Sequence, residues 1–185
     1  MPQAIRLCVY CGSSVGTNPA YAREARSLGR SMAARGIDLV YGGGHIGLMG
    51  ILAGEVLAGG REVTGVITEH LVDREVAHQS LTELVVTTDM PARKEAMFRR
   101  GDAFVALPGG VGTMEELFEV LCWRGLGLHP KPVGLLNVDG YYDHLVAFLD
   151  RAMVDGFLRE LHLVVHDDVD RLLDGLLTAR TTEPA

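Results

Sequence analysis

The stretch Ala103-Phe104-Val105-Ala106-Leu107-Pro108-Gly109-Gly110-Val111-Gly112-Thr113-Met114-Glu115-Glu116-Leu117 decides how the chain folds. Ala103–Leu107 is a short apolar run, as a strand buried on both faces requires. Pro108 and the glycines end it, and a helical pattern takes over near Met114–Leu126. A strand that passes through a glycine turn straight into a helix is the repeating unit of a parallel α/β sheet. In such sheets ligands sit at the carboxyl ends of the strands, where strand order reverses. Glycines there let backbone N–H groups approach an anion, and the following helix adds its dipole.

The same alternation extends in both directions. Further strands are predicted near Ile5–Tyr10, Asp38–Tyr41, Glu62–Ile67, Leu84–Thr87, Pro132–Leu136 and Leu163–Val165. Helices fit between them near Ala20–Arg35, Leu48–Ala58, Pro91–Arg100, Tyr141–Asp155 and Val169–Leu177. The first helix is well punctuated: Asn18 suits the cap, Pro19 the first turn and Gly36 the exit. Its apolar stripe of Ala25, Leu28 and Met32 has the three- and four-residue spacing of a core-facing helix. No proline-, serine- or charge-rich linker interrupts the pattern. The expectation is one Rossmann-like α/β domain over residues 1–180, doubly wound on a mostly parallel sheet of about seven strands, with Thr181–Ala185 as a disordered tail.

Composition narrows the function. The 185 residues are 48% apolar and 22% charged, which is ordinary for a globular protein. Seventeen basic against twenty-four acidic residues give a formal net charge of −7. That sign argues against non-specific binding to nucleic acid or an anionic membrane, which needs a positive field. It leaves room for a local pocket that takes one phosphate. The opening Met1-Pro2-Gln3-Ala4-Ile5-Arg6 lacks the pattern of a signal peptide, and no apolar run is long enough to span a bilayer. Three cysteines are too few for a disulfide scaffold, so a reducing cytoplasm is the expected location.

Two more loops join the first as candidate ligand sites: Cys11-Gly12-Ser13-Ser14 after strand one, and Gly42-Gly43-Gly44-His45-Ile46-Gly47 after strand two. Each could be only a tight turn, yet together they point to a bound phosphate. The second contains G-x-G-x-x-G at Gly42, Gly44 and Gly47, with Glu69 after the next strand. It follows the second strand rather than the first, which argues against a dinucleotide fingerprint. None of the loops has the ATPase P-loop pattern.

Two charged residues stand out. Thr113 and Glu116 form T-x-x-E, a capping box, and local spacing favours that role for Glu116. The alternative places its carboxylate beside a phosphate loop, within reach of a sugar's anomeric carbon. Arg93 shares a helix face with Met90 and Met97, either as a solvated arginine or as a guanidinium aimed into a methionine-lined slot. Lys94 reads as surface or as a second phosphate ligand. Cys8 and Cys11 should point to opposite faces of the sheet, Cys122 reads as apolar filler, and His45 as loop polar or pocket lining. No histidine–cysteine spacing calls for a metal.

Three segments together resemble the Lonely Guy family of cytokinin-activating phosphoribohydrolases, long labelled lysine decarboxylase-like. They are Gly42-Gly43-Gly44, the run Met90-Pro91-Ala92-Arg93-Lys94-Glu95-Ala96-Met97, and Pro108 to Glu116. The last matches P-G-G-x-G-T-x-x-E at every fixed position, and the resemblance spans roughly Ile5 to Val165. It implies hydrolysis of the N-glycosidic bond in an adenosine 5′-monophosphate, plain or N6-substituted, to a free base and ribose 5-phosphate. Arg93 and Glu116 would be the catalytic pair, with no cofactor. Gly109, Gly110, Val111, Gly112 and Thr113 would hold the phosphate, helped by Ser14, Gly43, Gly44 and Lys94, while Met90 meets the base. A homodimer with the site near its interface is implied as well. The older decarboxylase label would require a lysine Schiff base to pyridoxal phosphate, and nothing marks Lys94 or Lys131, the only lysines, for it. The rivals are a non-catalytic carrier of a phosphorylated pterin, which has no need of an Arg93–Glu116 pair, and a dehydrogenase.

Overall fold

Asn18 begins the first helix: its side chain accepts a hydrogen bond from the Ala20 N–H at 2.9 Å, and Pro19 occupies the first turn. Ala25, Leu28 and Met32 are buried along one stripe of that helix. Each such leucine contributes about 1.5–3 kcal/mol. The computed structural model describes residues 4–72 and 80–182. Strands β1 (Arg6–Tyr10), β2 (Asp38–Tyr41), β3 (Val63–Thr68), β4 (Glu83–Thr87), β5 (Ala103–Ala106), β6 (Val133–Leu136) and β7 (Leu163–His166) alternate with helices. These are α1 (Pro19–Ala34), α2 (Gly47–Ala58), α3 (Glu69–Val72), α4 (Met90–Arg100), α5 (Val111–Gly125), α6 (Asp143–Val154) and α7 (Val169–Thr182).

The strands form one sheet in the order β4-β3-β2-β1-β5-β6-β7, and every pairing is parallel. The chain winds outward from β1 to β4, then returns to lay β5 against the other side of β1. The order therefore reverses between β1 and β5, which is where an open parallel sheet places its ligand.

Alternate residues of each central strand enter opposite cores. Leu7, Val9, Leu39, Tyr41 and Val105 pack with Leu28, Leu52, Val56 and Leu172 under α1, α2 and α7. Cys8, Tyr10, Val40, Phe104 and Ala106 pack with Met97, Leu117 and Val120 under α4 and α5. Cys8 and Cys11 thus lie in different layers, as the spacing predicts, and burial pushes both thiols well above their ordinary range. Cys122, by contrast, is exposed rather than apolar filler, because it sits on the outer face of α5.

Most boundaries shift by a residue or so, and the larger differences from the sequence reading are these. Helix α5 starts at Val111, three residues before Met114, since Gly110 serves as its N-cap. Helix α6 starts at Asp143, and Tyr141 and Tyr142 belong to the turn before it, after a 3-10 turn at Val138–Gly140. One-turn α3 was too short to leave a periodic signal. Helix α7 runs to Thr182, so Thr181 and Thr182 are helical rather than tail; residues 183–185 lie outside the described ones.

Gly47, at the head of α2, has φ +67°, and the backbone of Ser13 occupies the space a Cβ would need. Gly47→Ala should therefore lower the unfolding free energy by about 2 kcal/mol or more, combining left-handed strain with displacement of the β1 loop. Urea titration followed by circular dichroism measures it.

Candidate active site

Helix α4 begins at Asp89, whose carboxylate accepts from the Ala92 N–H at 2.8 Å, with Pro91 in the first turn. That start places Arg93 one turn in, facing the sheet, with only 8% of its side chain exposed. The solvated-arginine reading is thereby overturned. Nε donates to the Val66 carbonyl of β3 at 2.9 Å, and Nη2 to the Gly42 carbonyl just beyond β2 at 3.2 Å. Nη1 lies 3.8 Å from Glu116 Oε1 and 3.8 Å from Met90 Sδ. At that distance the pair is an ion pair rather than a direct hydrogen bond.

Glu116 comes from α5 and is 12% exposed. With the helix starting at Val111, Thr113 is its third residue and Glu116 its sixth, so no capping box forms and no side chain caps Gly110. The early start has two effects. It turns Glu116 inward toward Arg93, and it leaves the first-turn N–H groups of α5 without intrahelical acceptors. Those N–H groups and the helix dipole suit an anion.

The three glycine loops are tied to one another. The Gly12 N–H donates to the Pro108 carbonyl, and the Leu48 N–H donates to the Gly12 carbonyl, both at 3.1 Å. Between them opens a cavity of about 320 Å³ at the switch point. Arg93, Glu116, Met90, Gly110, Val111, Gly112 and Thr113 all line it. Ser14 and Gly109 line a neighbouring cavity of about 360 Å³, with Tyr21 and Tyr141.

Three expected contacts stand elsewhere. Gly43 packs against Val66 and Ile67 of β3, and Gly44 is buried, lining neither cavity. Gly42 is the member of that loop which reaches the site. Lys94 binds Glu115 and, at 2.7 Å, Glu119, which pins α4 to α5 and holds its ammonium pKa above the usual value. His45 is exposed outside both cavities. Spacing did not single out Tyr10 and Met49, which also line the cavity of Arg93 and Glu116, with Ser13 of the first candidate loop. Tyr10 was findable as the last residue of β1, at the strand end where ligands gather. Burial, with the neighbouring Cys8 and Glu116, holds its phenol far above the ordinary range, so it stays neutral.

Burying a guanidinium and a carboxylate together costs desolvation that apolar residues would avoid. A cavity floored by such a pair, beside a helix N-terminus, is equipped to bind an anionic group and to stabilise positive charge close by. Among the described residues no group of three His, Cys, Asp or Glu side chains is placed to hold a metal ion.

Known proteins resemble this chain. A family model described as "Possible lysine decarboxylase" matches residues 49–176. Cytokinin riboside 5′-monophosphate phosphoribohydrolase LOG7 of Arabidopsis thaliana is 53% identical over 153 residues, covering 83% of this chain and 70% of that protein. Cytokinin riboside 5′-monophosphate phosphoribohydrolase LOG of Oryza sativa subsp. japonica is 50% identical over 175 residues, covering 95% and 69%. Across such relatives the chain spans between 61% and 76% of their length. A Moco carrier protein from Chlamydomonas reinhardtii has TM-score 0.75 at 20% identity, over 98% of this chain and 100% of that one, a likeness of fold alone.

A methyl group at position 42 would fall on Arg93 Nη2. Gly42→Ala should cost about 2–3 kcal/mol of stability by unseating a buried charged donor. In an Arg93→Met background the same glycine change should cost less, because the cation it displaces is gone. A double-mutant cycle in urea gives both values.

Proposed function

The chain belongs to the Lonely Guy family, and from that premise we propose that it hydrolyses the N-glycosidic bond of adenosine 5′-monophosphates, plain or N6-substituted. The products are the free base and ribose 5-phosphate. The observation that carries this reading is the Arg93–Glu116 pair, 3.8 Å apart on the floor of a cavity whose rim is the start of α5.

The 5′-phosphate sits at the first turn of α5, on N–H groups of Gly110, Val111, Gly112 and Thr113, with the Thr113 hydroxyl beside them. That anchoring sets C1′ near Glu116. As the C1′–N9 bond breaks, positive charge grows on the ribose and negative charge on the base. The Glu116 carboxylate stabilises the ribose carbon or bonds to it briefly. Water supplies the oxygen that forms the new C1′–O bond, and one of its protons ends on the released base. Arg93 stays protonated throughout, so its part is electrostatic, toward phosphate, sugar or departing base. Met90, 41% exposed at the mouth, offers a polarizable surface to a flat ring.

Neither lysine fits the decarboxylase description. Lys94 is held by Glu115 and Glu119, and Lys131 donates to the Phe98 carbonyl at 2.6 Å with its ammonium 4.3 Å above the Phe98 ring. Pyridoxal phosphate would have no lysine in the cavity. A carrier of a phosphorylated ligand would use the same cup without turnover, and the charged pair favours hydrolysis. The reading further takes the protein as a cytoplasmic homodimer with the site near its interface. Val111 at 86% exposure and Phe118, with Leu126 just past the helix, give this side of α5 the apolar outer surface a second copy would cover.

Purified protein incubated with AMP or isopentenyladenosine monophosphate should release free base, seen by chromatography. Glu116→Gln should bind nucleotide and lose at least a hundredfold in kcat, in line with removal of a charge-stabilising group. Full activity in that variant, or equal turnover of the bare nucleoside, rejects the assignment. Sedimentation should return a mass of two chains.

A further inference from the structure

The loop between β5 and α5 has its peptide planes fixed one after another. Tyr142 Oη donates to the Leu107 carbonyl at 2.6 Å, the Gly12 N–H to that of Pro108 at 3.1 Å, and Tyr141 Oη to that of Gly109 at 2.7 Å. A trans peptide is planar, with its C=O and its N–H pointing in opposite directions. Holding the Pro108 carbonyl therefore aims the Gly109 N–H, and holding the Gly109 carbonyl aims that of Gly110. Tyr141 lines the second cavity and not the first, whereas Gly110 lines both. Gly110 is also the N-cap of α5, beside the cavity that Arg93 and Glu116 line.

Tyr141 is itself held. Its ring meets Tyr21 edge-on at 5.4 Å and Tyr142 edge-on at 4.8 Å. The turn carrying it is anchored by Asp139, a non-glycine residue at φ +50°, whose carboxylate accepts from Asn18 Nδ2 at 2.8 Å. Such a left-handed residue persists only where its surroundings impose it.

We propose that Tyr141 is a positioning residue for the substrate's phosphate: from behind the loop, its phenol turns the Gly110 N–H toward the anion. The proposal rests on the phosphate lying at the start of α5, as in the function given above. Tyr141 touches the loop rather than the substrate, so its contribution falls on phosphate affinity and not on bond breaking.

Tyr141→Phe keeps both ring contacts and removes one hydrogen bond. It should raise the dissociation constant of ribose 5-phosphate, measured by calorimetry, and the KM for AMP by the same factor, about five- to tenfold. The kcat should stay within about twofold, the rate on adenosine should not change, and Tm should move by no more than about 2 °C. Unchanged ribose 5-phosphate affinity overturns the proposal. So does an equal loss on adenosine and AMP, or a fall in Tm that matches the loss of affinity, since each marks a structural role. Wild-type protein that binds ribose 5-phosphate but releases no base would defeat the hydrolase reading while leaving the Tyr141 comparison readable by binding alone.

Discussion

One buried cation constrains the whole site. Arg93 is set among the carbonyl ends of two neighbouring strands, with Nε on Val66 and Nη2 on Gly42. A guanidinium in that position must be matched, and Glu116 supplies the opposite charge from a helix on the other side of the switch point. The consequences run outward. Gly42 has no room for a side chain, α4 must begin at Asp89 to aim Arg93 inward, and α5 must begin at Val111 to bring Glu116 round. The Lys94 contacts to Glu115 and Glu119 then hold the two helices in register.

Much of the fold was legible because each signal was local and had a single physical meaning. Asn18 and Pro19 mark the start of α1, and the runs at Asp38–Tyr41 and Ala103–Ala106 could only be buried strands. The parallel sheet followed from the alternation, since parallel neighbours need helical crossovers. The parts that stayed hidden depend on partners far away in sequence. Spacing left Arg93 open between a solvated and a pocket guanidinium because its partners Val66 and Gly42 are 27 and 51 residues distant. Lys94 stayed open between surface and phosphate ligand because its carboxylates lie on another helix.

The misread capping box is the most instructive case. T-x-x-E is a sound local rule, and it lost to Gly110, which lets the helix start a turn early. The same three residues changed the meaning of Glu116 from a backbone partner to a pocket carboxylate. Tyr141 and Tyr142 were misread in a similar way: their spacing suits a helix start, yet they bond to carbonyls 32 and 35 residues earlier in the chain.

The sheet order divides the labour between the two ends of the polypeptide. Every hydrogen-bonding partner of the Arg93 guanidinium precedes it, whereas its counter-charge follows it. During synthesis the arginine and its carbonyl seats are therefore made before Glu116. Until β5 zips onto β1 and α5 closes, that nascent half carries an uncompensated interior charge and has reason to stay loosely packed.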